Sequence, residues 1–178
     1  MNYAIIKNCD IANGPGVRVS LFVSGCTHKC KGCFNEVAWD FNYGEPFKKE
    51  TVEYILSLLA PDYVCGLTLL GGEPFEPLNQ PEILELVRVV KNRFPNKSIW
   101  AFSGFVFENM LSGKVGERDT CLNILNHLDV LVDGPFVEEK KNLMLRFRGS
   151  ENQRIILVKE SLEKEEVVLW QDWQSGRR

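Results

Sequence analysis

The sequence has no long apolar segment and no excess of basic residues. No apolar run approaches the ~20 residues that a helix needs to span a bilayer, which excludes a helical membrane protein. Lysine and arginine number 21 against 24 aspartates and glutamates, so the formal charge is −3, whereas a general nucleic-acid binder shows a basic surplus. The first residues also lack the charged-then-apolar plan of a signal peptide. We therefore expect a cytoplasmic protein that binds neither membranes nor nucleic acid.

The chain is also short. Its 178 residues suffice for one domain with a real core, since chains of this size bury about 70% of their unfolded surface. A complete eight-stranded α/β barrel is nearly excluded, because that fold usually takes about 250 residues. We expect a single domain over residues 1–178.

Apolar strand patterns alternate with helical patterns along the chain. Pro81 stands where a helix should begin, whereas Pro61 and Pro95 each end one. The predicted helices cover residues 50–60, 81–94 and about 122–128. The predicted strands cover residues 3–7, 17–24, 64–70, 98–102 and 130–132, with two further candidates at 154–158 and 167–170. This alternation predicts an α/β fold built from βαβ units with a mainly parallel sheet.

Four chemically notable segments follow predicted strands. They are a cysteine-rich loop (residues 26–33, the cysteine loop), Gly71-Gly72-Glu73-Pro74, Ser103-Gly104 and Asp133-Gly134. Ligands in such folds bind beyond the carboxyl ends of the strands, so we expect these segments to meet at one face. A glycine pair lets backbone approach a small molecule closely, although a plain turn is the alternative interpretation.

Three of the six cysteines, Cys26, Cys30 and Cys33, lie within eight residues. In a cytosolic chain such clustering indicates metal or redox chemistry rather than disulfides. Structural zinc would need a fourth ligand, His28 or a distant cysteine. A [4Fe–4S] cluster held by three thiolates would leave one iron open for catalysis. The spacing favours the cluster, and zinc or metal-free thiols remain as alternatives.

The other three cysteines, Cys9, Cys65 and Cys121, are isolated in the sequence. Free cysteine often behaves as a small buried hydrophobic residue. We expect all three to be buried and to take no part in the chemistry.

Two motifs resemble the radical S-adenosylmethionine (SAM) superfamily. They are Cys26-Thr27-His28-Lys29-Cys30-Lys31-Gly32-Cys33 and Gly71-Gly72-Glu73-Pro74. Residues 13–18 and 21–26 look like the glycyl-radical activating enzymes within it. Residues 132–136 and 148–153 look most like the branch that activates anaerobic ribonucleotide reductase. Gly32 departs from the common aromatic residue before the third cysteine, although this branch shares it, and Leu70 replaces a common small polar residue.

The resemblance implies a partial TIM-type βα barrel with one [4Fe–4S] cluster and SAM as cofactors. In this superfamily a reduced flavodoxin-type donor supplies an electron through the cluster, and SAM breaks into methionine and a 5′-deoxyadenosyl radical. That radical would remove a hydrogen from a glycine of the partner, an anaerobic ribonucleoside-triphosphate reductase. The protein, as a radical SAM oxidoreductase, would orient the cofactors and exclude water and oxygen.

The resemblance also assigns roles to residues. Cys26, Cys30 and Cys33 would ligate the cluster and form the catalytic centre. The implied SAM contacts are Gly32 and Phe34 near the adenine, with Cys33 on the same loop, and Gly71, Gly72 and Glu73 near the amino group. Ser103 and Asp133 would lie near the ribose, the carboxylate or a nearby cation, with a turn role as the alternative for Asp133. Arg148, Asn152 and Gln153 would face SAM or the partner, or lie on an exposed loop. Lys29 and Lys31 would dock an acidic electron donor, or form a solvated pair.

The length favours a macromolecular substrate. An incomplete barrel leaves one side of the site open, whereas radical chemistry needs enclosure. A protein partner could close the site with an inserted loop. The alternatives are an activator of the pyruvate formate-lyase type, a small-molecule radical SAM enzyme such as a 7-carboxy-7-deazaguanine synthase, a zinc-stabilised binding module and a ferredoxin-like carrier.

Overall fold

One sheet of seven strands organises the part of the chain that this computed structural model describes, residues 1–171. The strands β1 to β7 are Asn2–Asp10, Val17–Val23, Glu45–Pro46, Val64–Gly71, Ser98–Phe102, Val130–Asp133 and Arg154–Leu157. The helices α1 to α5 are Lys49–Leu59, Gln80–Arg93, Phe107–Leu111, Arg118–Leu125 and Val158–Lys164. Two 3-10 turns, Glu36–Trp39 and Glu138–Lys140, lie in loops. None of the described helices is long and apolar enough to cross a membrane.

The strands lie side by side in the order β3-β1-β2-β4-β5-β6-β7. The four middle strands, β2, β4, β5 and β6, are parallel, whereas β1, β3 and β7 pair antiparallel at the edges. The prediction of an α/β fold is confirmed, with a sheet that is parallel in its middle. Within residues 1–171 the two edge strands do not pair with each other, so the sheet is open, and the predicted partial TIM-type barrel stays a prediction. The single-domain prediction also spans residues 172–178, which lie outside the described residues.

The helices pack on one face of this sheet. Consecutive parallel strands occupy consecutive positions, and right-handed crossovers then place their helices on the same side. Side chains of the middle strands on this face, such as Leu21 in β2 and Leu69 in β4, are fully buried. They share one apolar core with Ile55 of α1, Leu86 of α2 and Ile124 of α4. The strands are therefore apolar on this face, as the sequence pattern predicts.

The opposite face of the sheet carries a smaller aromatic cluster. Trp100 of β5 packs its ring edge-on against Phe147 at 5.5 Å and against Trp170 at 5.9 Å between centroids. Val130 and Val132 of β6 are buried in the same cluster. This packing attaches the loop before β7 and the segment after α5 to the sheet.

A buried arginine joins three of the middle strands. Arg18 of β2 is only 1% exposed, and its guanidinium donates to Thr68 Oγ1 at 2.7 Å, Ser98 Oγ at 2.9 Å and the Leu67 carbonyl at 2.7 Å. Its guanidinium carbon also lies 5.7 Å from the Trp100 ring centroid. Burial lowers the pKa of Arg18 to about 10. The Arg18 guanidinium is thus held by neutral hydrogen-bond acceptors and an aromatic ring, at the end of the sheet where β2 begins.

Two predictions near the C-terminus are wrong. Val158 does not extend the preceding strand but begins α5, and residues 167–170 form no strand, since Leu169 makes only an isolated bridge to Ile156. Val158 is buried in the main core, so its apolar character reflects packing and not strand geometry. The sequence reading also missed β3 and α3, and it extended α4 beyond Leu125.

Two of the three isolated cysteines are exposed, contrary to expectation, and only Cys121 is buried. Cys9 and Cys65 lie at irregularities of the strand pairing, where one strand carries an extra residue. A bulged residue leaves the regular alternation of faces, and Cys9 accordingly has a φ of 58°. Cys121 donates its thiol to the Val115 carbonyl at 2.7 Å, and burial raises its pKa to about 11.

Candidate active site at the carboxyl ends of the strands

A cavity of about 460 Å³ opens where the parallel strands end. This volume lies within the ~300–1,000 Å³ of small-molecule sites. The cavity wall includes residues from the cysteine loop after β2, the double glycine after β4, Ser103-Gly104 after β5 and Gly134 after β6. The predicted convergence of these segments is confirmed. Asp133 is the exception, because it does not line the cavity.

The cysteine loop begins on fixed backbone. The Gly25 N–H donates to the Ala38 carbonyl at 2.8 Å, and the Cys26 N–H donates to the Trp39 carbonyl at 3.2 Å. Cys26, Cys30 and Cys33 are half-buried free thiols, and all three line the cavity.

The three thiols fit an iron–sulfur cluster, since thiolates are the ligands these clusters take. Burial raises the pKa of the Cys26 thiol to about 11, so its proton would leave only on metal binding. The Asn35 N–H donates to Cys33 Sγ at 3.4 Å. In residues 1–171 no three His, Cys, Asp or Glu side chains are gathered closely enough for one metal ion. The three thiols therefore lie on one loop and line one cavity, but they do not surround a space the size of a single metal ion.

The double glycine is required by neighbouring backbone. A Cβ on Gly71, whose φ is +111°, would lie 2.7 Å from the Phe22 Cα and the Val23 nitrogen in β2. A Cβ on Gly72 would lie 2.6 Å from the Gly25 carbonyl oxygen. The Gly72 N–H donates to the Val23 carbonyl at 2.7 Å. These glycines therefore bring the end of β4 against the start of the cysteine loop, and they also line the cavity.

Glu73 is a buried acidic residue whose carboxylate contacts several segments of the site. It is 1% exposed, and its carboxylate accepts hydrogen bonds from Ser103 Oγ at 2.8 Å, the Gly104 N–H at 2.7 Å and the Phe75 N–H at 2.9 Å. His28 Nε2 lies 3.1 Å from the same carboxylate. Hydrogen bonding to Glu73 is the largest cause that raises the pKa of His28. The side chain of Glu73 thus joins three of the segments that line the cavity.

Gly32 and Phe34 lie at the mouth of the cavity. Gly32 has a φ of +71°, and a Cβ there would lie 2.9 Å from Glu138 Oε1, so an aromatic residue would be strained and would have to displace the Glu138 side chain. Lys31 Nζ binds the other oxygen of Glu138 at 3.0 Å, and its side chain is 81% exposed. Phe34 is 87% exposed. A loop formed by residues 138–151, which we call the rim loop, therefore contacts the cysteine loop directly.

Ser103 and Asp133 have different surroundings. Ser103 lines the cavity and uses its hydroxyl to hold Glu73. Asp133 is 1% exposed and accepts hydrogen bonds from Arg154 Nε at 2.9 Å and from the Phe107 N–H at 2.8 Å. Hydrogen bonds to Asp133, then to Glu108, raise the pKa of Arg154. Asp133 therefore joins β6 to β7 and to α3, and its place does not support a cofactor contact.

The rim loop is closed by its own hydrogen bonds. The Glu151 N–H donates to the Lys140 carbonyl at 2.9 Å, and the Asn142 N–H donates to the Gly149 carbonyl at 3.3 Å. At its tip, Leu143 and Met144 are each 88% exposed. Leu143 also lines the cavity, a contact that the sequence did not predict.

The other predicted residues of this region fall into two groups. Arg148 and Gln153 line the cavity, where Arg148 Nη1 donates to the Gln153 carbonyl at 2.6 Å and Gln153 Oε1 accepts from the Gly149 N–H at 2.8 Å. Asn152 instead donates to the Pro135 carbonyl at 2.8 Å and does not line the cavity. Lys29 adopts a φ of 46° between Cys26 and Cys30. Further wall residues that sequence reasoning missed are Ala12, Asn13, Trp39, Phe102, Phe136, Lys141, Leu145 and Phe147.

A family model described as a 4Fe-4S single cluster domain matches residues 12–156. Together with the three thiols on one loop, this match places the chain in the class of single-cluster iron–sulfur proteins.

A relative from Enterobacteria phage T4, named anaerobic ribonucleoside-triphosphate reductase-activating protein, is 45% identical over 157 residues, which cover 87% of this chain and 93% of the relative. Relatives of the same name from Escherichia coli K12 and Haemophilus influenzae are 39% and 40% identical over 86% and 87% of the chain, and 96% and 97% of their own length. The chain belongs to the family of anaerobic ribonucleoside-triphosphate reductase-activating proteins.

Proposed function

We propose that this protein activates an anaerobic ribonucleoside-triphosphate reductase by reductive cleavage of SAM and hydrogen abstraction from a glycine of the reductase. The observation that carries the proposal is that Cys26, Cys30, Cys33 and the double glycine all line the same cavity. The names of the relatives support the partner. The proposal makes the chain a radical SAM enzyme of the glycyl-radical activating type.

Each part of the cavity has a task in this proposal. Cys26, Cys30 and Cys33 would hold a [4Fe–4S] cluster and leave one iron without a protein thiolate. When bound, the cluster would supply the electron that cleaves SAM, and the organic radical so formed would take the glycine hydrogen. The chain itself binds and orients the cofactors and limits the access of water.

For SAM we propose the space between the cysteine loop and the double glycine. Gly32 and Phe34 would lie on one side, and the backbone of Gly71, Gly72 and Glu73 on the other. The carboxylate of Glu73 is fully engaged within the protein, so its contact with SAM would be through backbone. Lys141 and Arg148 supply the positive charge of the wall.

The open mouth suits a protein substrate. Two large apolar side chains that line the cavity, Phe34 and Leu143, are 87% and 88% exposed, and Met144 beside Leu143 at the rim-loop tip is 88% exposed. Exposed apolar groups clustered near a site mark an interaction surface. A segment of the reductase would cover them and enclose the site. We propose that a reduced flavodoxin-type donor approaches the exposed side of the cysteine loop, where Lys31 lies.

The test uses the anaerobically reconstituted protein, dithionite or reduced flavodoxin, SAM and the cognate reductase. We expect an organic radical on the reductase with a doublet electron paramagnetic resonance (EPR) signal, split by the remaining Cα hydrogen. Reductase labelled with Cα-deuterated glycine should lose the doublet and transfer deuterium into 5′-deoxyadenosine. The control is Cys33→Ala, which should leave the reductase inactive.

A different outcome would redirect the assignment. If the protein cleaves SAM but leaves the reductase free of radical and 5′-deoxyadenosine unlabelled, the proposed partner is wrong. A small-molecule radical SAM enzyme would then be the better hypothesis. If reconstituted protein holds zinc and no iron, the proposed chemistry itself is wrong.

A further inference from the structure

Two residues between the first and second cluster cysteines are held by buried carboxylates. The Thr27 N–H and Thr27 Oγ1 both donate to Glu76 Oε1, at 2.7 Å and 2.6 Å. His28 Nε2 contacts Glu73 Oε2 at 3.1 Å. Glu73 and Glu76 are 1% and 4% exposed. Neighbouring residues of the cysteine loop thus bind two acidic residues that follow Gly72 by one and four positions.

The ring of His28 is also fixed on its faces. It packs against Phe105 with 4.3 Å between ring centroids. On another side it lies over Gly104, where an added Cβ would come within 2.5 Å of the ring. The Glu73 carboxylate can only accept, so His28 donates from Nε2. Few orientations of the His28 ring satisfy all three neighbours.

Buried carboxylates are costly unless donors surround them. Glu73 contacts donors from two other cavity segments, Ser103-Gly104 and the cysteine loop, whereas Thr27 donates both of the hydrogen bonds described above for Glu76. The Glu73 N–H in turn donates to the Gly25 carbonyl at 2.8 Å. The contacts therefore run in both directions between the cysteine loop and the segment that carries Gly72, and neither can move alone.

We propose that Thr27 and His28 are positioning residues: with Glu76 and Glu73 they form a clamp that fixes the cluster loop against the SAM site. This inference rests on the proposed function, because it assigns the clamp to the cofactors of that site. The clamp leaves metal ligation to the cysteines and acts on how the bound cluster faces SAM. Groups that orient metal ligands typically change affinity or activity about 10- to 100-fold when removed.

The decisive variants remove one donor at a time. Thr27→Val keeps the shape and the backbone N–H but loses the hydroxyl donor, and Thr27→Ser restores it. His28→Phe keeps an aromatic ring against Phe105 but loses Nε2, and His28→Gln restores an N–H donor. Glu36→Gln is the matched control, because Glu36 is exposed just beyond the cysteine loop.

The first readout needs neither cluster nor SAM. In the metal-free protein we expect iodoacetamide to alkylate Cys26 about tenfold faster in Thr27→Val and His28→Phe than in wild type, scored by peptide mass spectrometry. Thr27→Ser and Glu36→Gln should match wild type, and His28→Gln should recover most of the protection. Circular dichroism monitors folding. If His28→Phe fails to fold, the Thr27 pair decides alone.

The second readout is spectroscopic. After reconstitution, iron content should stay at about four per chain in every variant. With SAM bound, the EPR signal of the reduced cluster should be broader in Thr27→Val and His28→Phe than in wild type. The SAM dissociation constant of both variants should rise at least about tenfold. If Thr27→Val and His28→Phe both match wild type in alkylation rate, EPR spectrum and SAM affinity, the proposed clamp is wrong. A wild-type protein that leaves the reductase inactive would instead overturn the proposed function and leave these readouts valid.

Discussion

The substitution Gly72→Ala gives the sharpest test of how the double glycine works. The φ of Gly72 is not in the left-handed region, so alanine can adopt this backbone and only space opposes it. The new Cβ would lie 2.6 Å from the Gly25 oxygen and 2.9 Å from the Ala38 oxygen. Ordinary contact begins at 3.4 Å, so the Gly25 oxygen would have to retreat by about 0.8 Å. Both oxygens belong to backbone that anchors the cysteine loop.

The expected cost follows from these contacts. Overpacking of this kind costs about 1–3 kcal/mol, and the hydrogen bond from the Glu73 N–H to the Gly25 carbonyl, now 2.8 Å, would stretch and lose up to about 1 kcal/mol. Because alanine lowers the conformational entropy of the unfolded chain, it also stabilises the folded protein by about 0.4–1 kcal/mol. We expect the free energy of unfolding to fall by about 2 kcal/mol in total, which lowers the Tm by about 4–8 °C in a chain of this size. A bulkier valine at this position would disturb the cysteine loop further.

The assay is thermal unfolding of the metal-free protein, followed by iron analysis after reconstitution. The control is Gly149→Ala, where φ is also ordinary and the nearest atom is a movable Phe136 ring carbon at 3.1 Å. We expect a Tm within ~1 °C of wild type for the control. A Gly72→Ala protein that melts like the control and loads a full cluster would refute the coupling between the double glycine and the cysteine loop.

Three further outcomes are expected. Cys30→Ala should abolish cluster loading, whereas Cys65→Ala, on a distant bulge, should load fully; iron and sulfide analysis decides, and a full cluster in Cys30→Ala would contradict the ligand assignment. Met144→Asp should lower reductase activation at least about tenfold, as expected for a lost interface anchor, and unchanged activation would remove the rim-loop tip from the interface. Burial raises the pKa of Asp129, but hydrogen bonds from Lys91 and a backbone N–H outweigh it, so the net pKa is below 3.8. The stability that Asp129 adds over Asp129→Asn should therefore be full near pH 7 and vanish as the pH falls through that lowered pKa. Urea unfolding at several pH values measures it, and a constant difference would contradict the assignment.

The middle of the fold was predictable because burial dictates it. Strands covered on both faces read as apolar runs, and helices on one face show a regular apolar stripe. The edges were not predictable on the same grounds. β3 has two exposed residues that are extended only because β1 lies beside them. Val158 is apolar for packing reasons, so its sequence resembles a strand although its backbone is helical.

The candidate site also contains residues that the sequence predicts and residues that it does not. The cysteines and glycines stand out because few other residues can do their work at that spacing. The contacts of Thr27 and His28 do not stand out, since their partners lie 49 and 45 positions away. The place of Asp133 was equally hidden, because its carboxylate accepts hydrogen bonds from Arg154, a residue on another strand. Long-range polar pairs of this kind leave no periodic signal in a single sequence.

From β4 to β7 the strands take their places in the sheet in the order in which a ribosome makes them. Each new strand finds its neighbour already present, which suits folding during synthesis. Thr27 and His28, which lie between the first two thiols, precede the carboxylates that hold them by 49 and 45 residues. At ~5–20 residues per second, this gap lasts about 2–10 seconds. During that interval the nascent chain presents three unsheltered thiols, so we expect oxygen to damage this protein most readily while it is being made.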